Sequence, residues 1–421
     1  MASLISIKKE LSKIEELEQK LNLTRLQTNS LLVITQGIND NKSAEDLYKM
    51  YHAFFTEKLG IKKMALYVKC ETGDWHCATS TGISKKLISE DISEILHLTK
   101  ETTNLEDFNS PLLNEFEIVV PVAHKSFPIA YVFTGGYSEE EDVYNQMQLI
   151  TTITNIIAVA IENKRLFKKQ IEQERFNREM ELAAEMQRLL IPQELPDNEH
   201  YQLAGIYKPH FRVGGDYFDF VELKEEGKLF FCIGDISGKG VSAALLMANF
   251  QANFKTLINK HLSNLAVFIK DINASVNRIT LGDKFITFFI AVYDIKTRSF
   301  KYINAGHTPP LLVDDGHLHL LDKGCTLLGL FDELASLEVG EVQLKGEAVL
   351  LSFTDGLTDI QNKEEDFVSE EKLKNFVQGH YLLSANDFNE KLKISIEAFI
   401  GEEKYPDDFT VLTTRFFNKN K

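Results

Sequence analysis

Four aspartates stand where apolar runs begin or end. GGDYFD (214–219) puts Asp216 after two glycines, and LFFCIGD (229–235) is an apolar run that stops at Asp235. EAVLLSFTDG (347–356) stops at Asp355, and PDDFTVLTT (406–414) starts from Asp408. An apolar strand packs in a core, and its end is where the chain leaves that core, so four such ends can meet at one edge of a sheet. Carboxylates gathered there repel unless a cation compensates them. All-oxygen donors suit the hard ions magnesium and manganese. A single Asp in a turn commonly bonds its own backbone. Four of one design, each beside glycine or a second Asp, point to a shared metal site.

The stretch GDISGKG (234–240) first suggests a phosphate cradle. A Walker loop needs G-x-x-x-x-G-K-[ST]. Here the run is one residue short, and Gly240 stands where the magnesium-binding hydroxyl should be. The loop instead aims Asp235 and the next carbonyl, that of Ile236, at a cation. Its glycines allow the tight turn, and a helix from Val241 with small Ala243, Ala244 and Ala248 can pack close behind.

In order along the chain, VGGDYFD, GDISGKG, NAGHTPP, FTDGLTD and DDFTVL resemble the PPM-type metal-dependent serine/threonine phosphatases. The SpoIIE/RsbU branch fits best, and LAAEMQRLLIP (182–192) looks like its helical lead-in. The resemblance covers residues 182–416 and implies an α+β fold, an αββα sandwich with two Mn²⁺ or Mg²⁺ ions at one end. By motif position Asp216, Asp235, Asp355 and Asp408 would be metal ligands with the Ile236 carbonyl, Asp235 bridging both ions, and would act through an activated water. Asp219 and Asp407 would stand one layer further out. Lys239 departs from the family, where histidine is frequent, and could attract substrate phosphate. His307 and Asn304 in NAGHTPP are read as loop scaffolding, with a general-acid role for His307 as the alternative. The resemblance further implies a phosphorylated protein substrate, an anti-sigma-factor antagonist. GGD also occurs in diguanylate cyclases, but Tyr217-Phe218 follow here instead of Glu-Phe. A catalytically silent phosphatase-like binding module is the other alternative.

The elements that must position these residues fall into four segments. Residues 1–27 read as a helix with Ile7, Ile14 and Leu21 in heptad spacing. Residues 28–162 contain a helical stretch, the strand MALYVKC, a hairpin closed near Lys125-Ser126 and an apolar exit helix, and resemble a GAF domain binding an unknown small molecule or protein. Residues 163–191 read as a charged helical linker with two stripes out of phase between 171 and 176, suited to a coiled coil and a homodimer. From 192 to 421 short strands and two longer helical stretches are expected. Among 421 residues the net charge of -16 opposes a nucleic-acid binder. The longest apolar run, FITFFIAVY, is too short to span a membrane. Four cysteines without a C-x-x-C pair suit a reducing cytoplasm. His76 and Cys77 are not expected to hold a metal or haem.

Overall fold

The computed structural model describes residues 2–418 except 71–72, 90–91, 93–100, 106–109, 125–126, 137–142, 262–263, 402 and 404. The chain divides into two compact units, Met1–Glu174 and Arg175–Lys421.

In the first unit α1 (Ala2–Asn39) runs twelve residues past the end expected for it, and α2 (Ala44–Ala53) follows at once. Ser43 starts α2 by accepting a hydrogen bond from the Asp46 backbone N–H. A five-stranded antiparallel sheet has the order β2 (Trp75–Thr81), β1 (Lys63–Lys69), β5 (Phe127–Gly135), β4 (Ile118–His124), β3 (Thr103–Asn104). The interior strand β1 buries five consecutive residues, because both of its faces are covered. On one face Leu47 and Tyr51 of α2 pack with Ile150, Ile153 and Ile157 of the long helix α3 (Val143–Arg188). The buried Tyr51 and Thr154 hydroxyls pair at 2.7 Å. The hairpin β4–β5 pairs His124 with Phe127; its tip, Lys125 and Ser126, lies outside the described residues.

The apolar exit helix and the charged linker form one helix, α3, of 46 residues. A phase slip in the apolar stripe leaves the backbone hydrogen bonds untouched, so it shows only in the side chains. Phe167, Ile171 and Phe176 are all at least half exposed.

The second unit stacks two sheets. One has the order β13 (Gly324–Cys325), β10 (Ser299–Ala305), β9 (Ile286–Asp294), β8 (Lys228–Ile236), β7 (Tyr217–Leu223), with β14 (Gly340–Gln343) also on β10. The other runs β12 (His317–Leu320), β11 (Leu311–Asp314), β15 (Ala348–Phe353), β16 (Phe409–Phe416), β6 (Tyr201–Lys208). Phe231 and Phe300 of the first meet Phe416 of the second in the shared core. Two helix pairs cover the outer faces, where two single stretches were expected. Phe250 and Phe254 of α4 (Val241–Lys260), with Phe268 of α5 (Leu265–Thr280), pack on Phe288 and its neighbours. Leu373 and Val377 of α6 (Glu370–His380) join Phe388 and Leu392 of α7 (Ala385–Ile400) on Val349, Leu351 and Val411. This is the αββα sandwich. Its central strands are covered on both faces, which is why they read as unbroken apolar runs.

Candidate active site

Antiparallel pairing brings the aspartates together in twos. Tyr217 pairs with Gly234 between β7 and β8, so Asp216, just before β7, stands opposite Asp235 near the end of β8. Phe353 pairs with Val411 between β15 and β16, so Asp355, just after β15, stands beside Asp408, just before β16. Each sheet thus offers one carboxylate at a strand start and one at a strand end, at the same edge.

Two buried hydrogen bonds join the edges. Thr354 Oγ1, from the second sheet, donates to Asp216 Oδ2 at 2.8 Å. The Gly215 N–H, from the first, donates to Asp408 Oδ2 at 2.6 Å. The other oxygen of Asp408 accepts from the His210 N–H at 2.7 Å. Glycine is required at three of these positions. A Cβ on Gly215 would stand 2.7 Å from the Ile236 carbonyl oxygen, one on Gly214 would stand 2.6 Å from Asp408 Oδ2, and one on Gly356 would overlap the Asp408 carbonyl.

The carboxyls feel one another. Burial, then the charge of Asp235, pushes Asp216 well above the usual carboxylate range. Burial, then the charges of Asp355, Asp407 and Asp408, pushes Asp235 up to about 7. Asp355 is raised by burial and by Asp359 and Asp407. A site that gathers this much unfavourable charge, with the Ile236 carbonyl beside Asp235, has the donors a hard divalent cation takes. Among the described residues no three His, Cys, Asp or Glu side chains close on one point as a ready cage. Magnesium-type ions do not need one, since they keep several waters and take one or two carboxylates each.

These shifts fix a pH dependence. Between the unfolded value near 3.8 and the raised folded values, the folded protein binds more protons than the unfolded chain, so its stability falls as pH rises through that window. Metal-free protein should therefore melt at a higher temperature near about pH 5.5 than near about pH 8. Thermal denaturation in EDTA checks this; equal melting of wild type and Asp235→Asn at both pH values would contradict it.

The remaining sequence candidates separate. Lys239 stands at the rim, its Nζ 2.8 Å from Asp407 Oδ2, while Asp407 Oδ1 accepts from the Asp408 N–H at 2.9 Å. Asn304 accepts from the His307 N–H at 2.8 Å and donates to the Leu321 carbonyl at 3.0 Å. His307 Nδ1 lies 2.9 Å from Thr287 Oγ1, and Thr287 is the strand partner of Asp235. Burial pushes the His307 pKa down to about 4, so the ring is neutral at physiological pH. Asp219 is not brought to the cluster: it accepts from Lys255 of α4 at 2.6 Å and from the Tyr217 hydroxyl. In the first unit His76 Nδ1 lies 2.9 Å from Cys70 Sγ, an exposed pair.

Sequence reasoning missed Gln187. Its Nε2 donates to the Gly214 carbonyl at 2.6 Å, and its Oε1 accepts from the Gly214 N–H at 3.1 Å. The last turn of α3 thereby holds the loop that carries Asp216. The available signal was a polar residue on the apolar stripe of the helix, buried here at 5% exposure. Tyr207 was missed as well; its hydroxyl is buried, has no hydrogen-bond partner among the described residues, and feels the charges of Asp408 and Asp216.

Residues 225–417 match the family model described as Stage II sporulation protein E (SpoIIE). Phosphoserine phosphatase RsbU of Bacillus subtilis is 26% identical over 277 residues, 65% of this chain and 80% of that one. Phosphoserine phosphatase RsbP of the same organism is 28% identical over 187 residues, 43% of this chain and 45% of that one. Among solved structures the SiaA-PP2C domain of Pseudomonas aeruginosa superposes with a TM-score of 0.52 at 20% identity, covering 58% of this chain and 98% of that domain, a likeness of fold. Five motifs in order, the edge-to-edge carboxylates and these relatives agree: residues 225–417 are similar to SpoIIE-type phosphatase domains, and the chain is a metal-dependent protein serine/threonine phosphatase.

Proposed function

We propose that the protein hydrolyses phosphoserine or phosphothreonine on a regulatory protein of the anti-sigma-factor antagonist kind, in the cytoplasm, under control of its first unit. The observation that carries the chemistry is the meeting of Asp216, Asp235, Asp355 and Asp408 at one sandwich edge. Two Mn²⁺ or Mg²⁺ ions held there by these carboxylates and the Ile236 carbonyl would lower the pKa of water and neutralise phosphoryl charge. The chain's own residues orient the donors. Thr354 fixes Asp216, the Gly215 and His210 amides fix Asp408, and Asn304 with His307 sets the loop beside Thr287. Lys239, kept at the rim by Asp407, draws in the phosphoryl group.

Phosphate release from a phosphoserine-bearing anti-sigma-factor antagonist, with phosphotyrosine peptide as control, tests the substrate class. Lys239→Ala should raise KM roughly fivefold with little change in kcat, as loss of one rim charge-assisted bond would. Preference for phosphotyrosine, or no release from phosphoserine protein, sinks the reading.

Control by the first unit is supported by α3, whose continuous helix ends in the Gln187–Gly214 bonds. The exposed stripe Phe167, Ile171, Phe176 supports a homodimer through that helix. A monomer by light scattering at micromolar concentration would remove that part. The first unit's GAF-like role is to bind a small molecule or protein; an unaltered melting curve across a nucleotide and metabolite panel would count against a small molecule.

A further inference from the structure

We propose that a cavity next to the active-site loop docks the residues flanking the substrate's phosphoserine, taking an apolar side chain with an acidic neighbour. The inference rests on the protein-phosphatase reading and adds how the substrate is chosen.

The cavity, about 650 Å³, is lined by Ala274, Asn277 and Arg278 of α5 with Leu281, Gly282, Leu330 and Asp332. The segment that follows Gly282 reaches the loop after Asp235. Ser237, two residues after Asp235, donates its N–H to the Phe285 carbonyl at 2.9 Å, and its Oγ accepts from the Phe285 N–H at 2.9 Å. Lys284 Nζ stands 2.7 Å from where a Cβ on Gly238 would be. On this proposal a peptide with its phosphate at the aspartates runs along this segment to the cavity.

Its apolar side chains are held out to solvent by built supports. Asn277 Nδ2 donates to the Phe331 carbonyl at 2.7 Å, and buried Asn273 donates to the same carbonyl at 2.9 Å. Asn273 Oδ1 also accepts from the Gly329 N–H at 2.9 Å. Two asparagines thus fix the segment on which Leu330 and Phe331 remain 45% and 50% exposed. Leu281 caps α5 with φ 53°, the left-handed region that glycine usually fills, and is 86% exposed. A leucine in that conformation, pointing into solvent, is costly to the fold and gains nothing from the core. Backbone outliers of this kind mark functional surfaces.

The charges suit an acidic neighbour. Arg278 is exposed, and neither it nor Lys284 forms an ion pair among the described residues, whereas the catalytic rim presents Asp355, Asp359 and Asp407. Asp332 lines the cavity too, which favours one apolar contact with a single acid over a polyanion.

The test uses the full chain with Mn²⁺ and two phosphoserine peptides, one flanked by Leu and Glu, the other by Gly and Lys, beside p-nitrophenyl phosphate, which has no flank. The Leu/Glu peptide should be preferred about tenfold in kcat/KM, the effect of burying one leucine-sized side chain. Leu281→Gly relieves the left-handed strain, so it should fold at least as well as wild type; it and Arg278→Glu should each cut the preference to about twofold or less while p-nitrophenyl phosphate turnover is unchanged. Turnover of p-nitrophenyl phosphate with no peptide preference, or a preference that survives both substitutions, overturns the docking surface alone. No turnover of any substrate overturns it together with the phosphatase reading. If Leu281→Gly splits a dimer in sedimentation and leaves the preference intact, the surface belongs to a second copy and the proposal falls.

Discussion

Asp235→Asn is expected to remove hydrolysis and, in the absence of metal, to raise the melting temperature. Both effects have one cause. Asp235 lies among Asp216, Asp355, Asp407 and Asp408, and its carboxyl is pushed up to about 7 by burial and by its neighbours' charges. An amide of the same shape carries no charge, so metal-free protein at about pH 8 loses that repulsion. A gain of roughly 5 °C fits a relief of one to two kcal/mol in a domain of this size. The same amide is a poor ligand for a hard cation. Losing the several kcal/mol that metal contributes to phosphoryl transfer should lower kcat roughly 10³-fold or more. Melting curves in EDTA and with Mn²⁺, beside turnover, read both effects. A mutant that is inactive but less stable without metal would mean that Asp235 is a structural carboxylate; an active mutant would mean that the chemistry lies elsewhere.

Gln187→Ala should lower kcat about tenfold to a hundredfold while shifting the melting temperature by only a few degrees. The side chain hydrogen-bonds both the N–H and the carbonyl of Gly214, in a buried position. Removing it leaves one donor and one acceptor unpaired, a cost of about 1–3 kcal/mol each unless water enters. The strain falls on two consecutive glycines, the most pliable backbone available. Those glycines carry Asp216 on one side and the amide that fixes Asp408 on the other. A small displacement there misplaces two donors at once, and misplacement of catalytic groups is costly in rate. Gln187→Glu keeps the acceptor but sets a buried carboxylate oxygen against the Gly214 carbonyl, so it should be at least as damaging as alanine. Metal titrations should show weaker Mn²⁺ binding in the alanine variant. Unchanged metal affinity and kcat would reduce Gln187 to a packing residue.

The strands and the aspartates at their ends were legible because a two-sided core makes strands read as unbroken apolar runs, and the chain must become polar where it leaves that core. Which aspartates face which was legible in part. Within each sheet the partner lies on the neighbouring strand. The bonds that join the sheets were not legible: Gly215 meets Asp408 across 193 residues, and Thr354 meets Asp216 across 138. No local pattern encodes how two sheets stack. Asp219 was expected one layer out because it shares the motif GGDYFD with Asp216; its partner Lys255 lies 36 residues on, on a helix turn that spacing alone does not place. Gln187 was legible only as part of the helical stretch LAAEMQRLLIP, since a helix pattern tells which face is covered and not by what. The slip in the apolar stripe of α3 affects packing and leaves the helical backbone intact.

Turnover of p-nitrophenyl phosphate by the full chain, titrated with Mn²⁺ and then with EDTA, addresses the central assignment most directly. Activity should be absent in EDTA, saturate with Mn²⁺ or Mg²⁺, and return when metal is restored to the chelated sample. Hydrolysis that persists in excess EDTA, or that is as fast in Asp216→Asn as in wild type, would contradict a metal-dependent phosphatase centred on these aspartates.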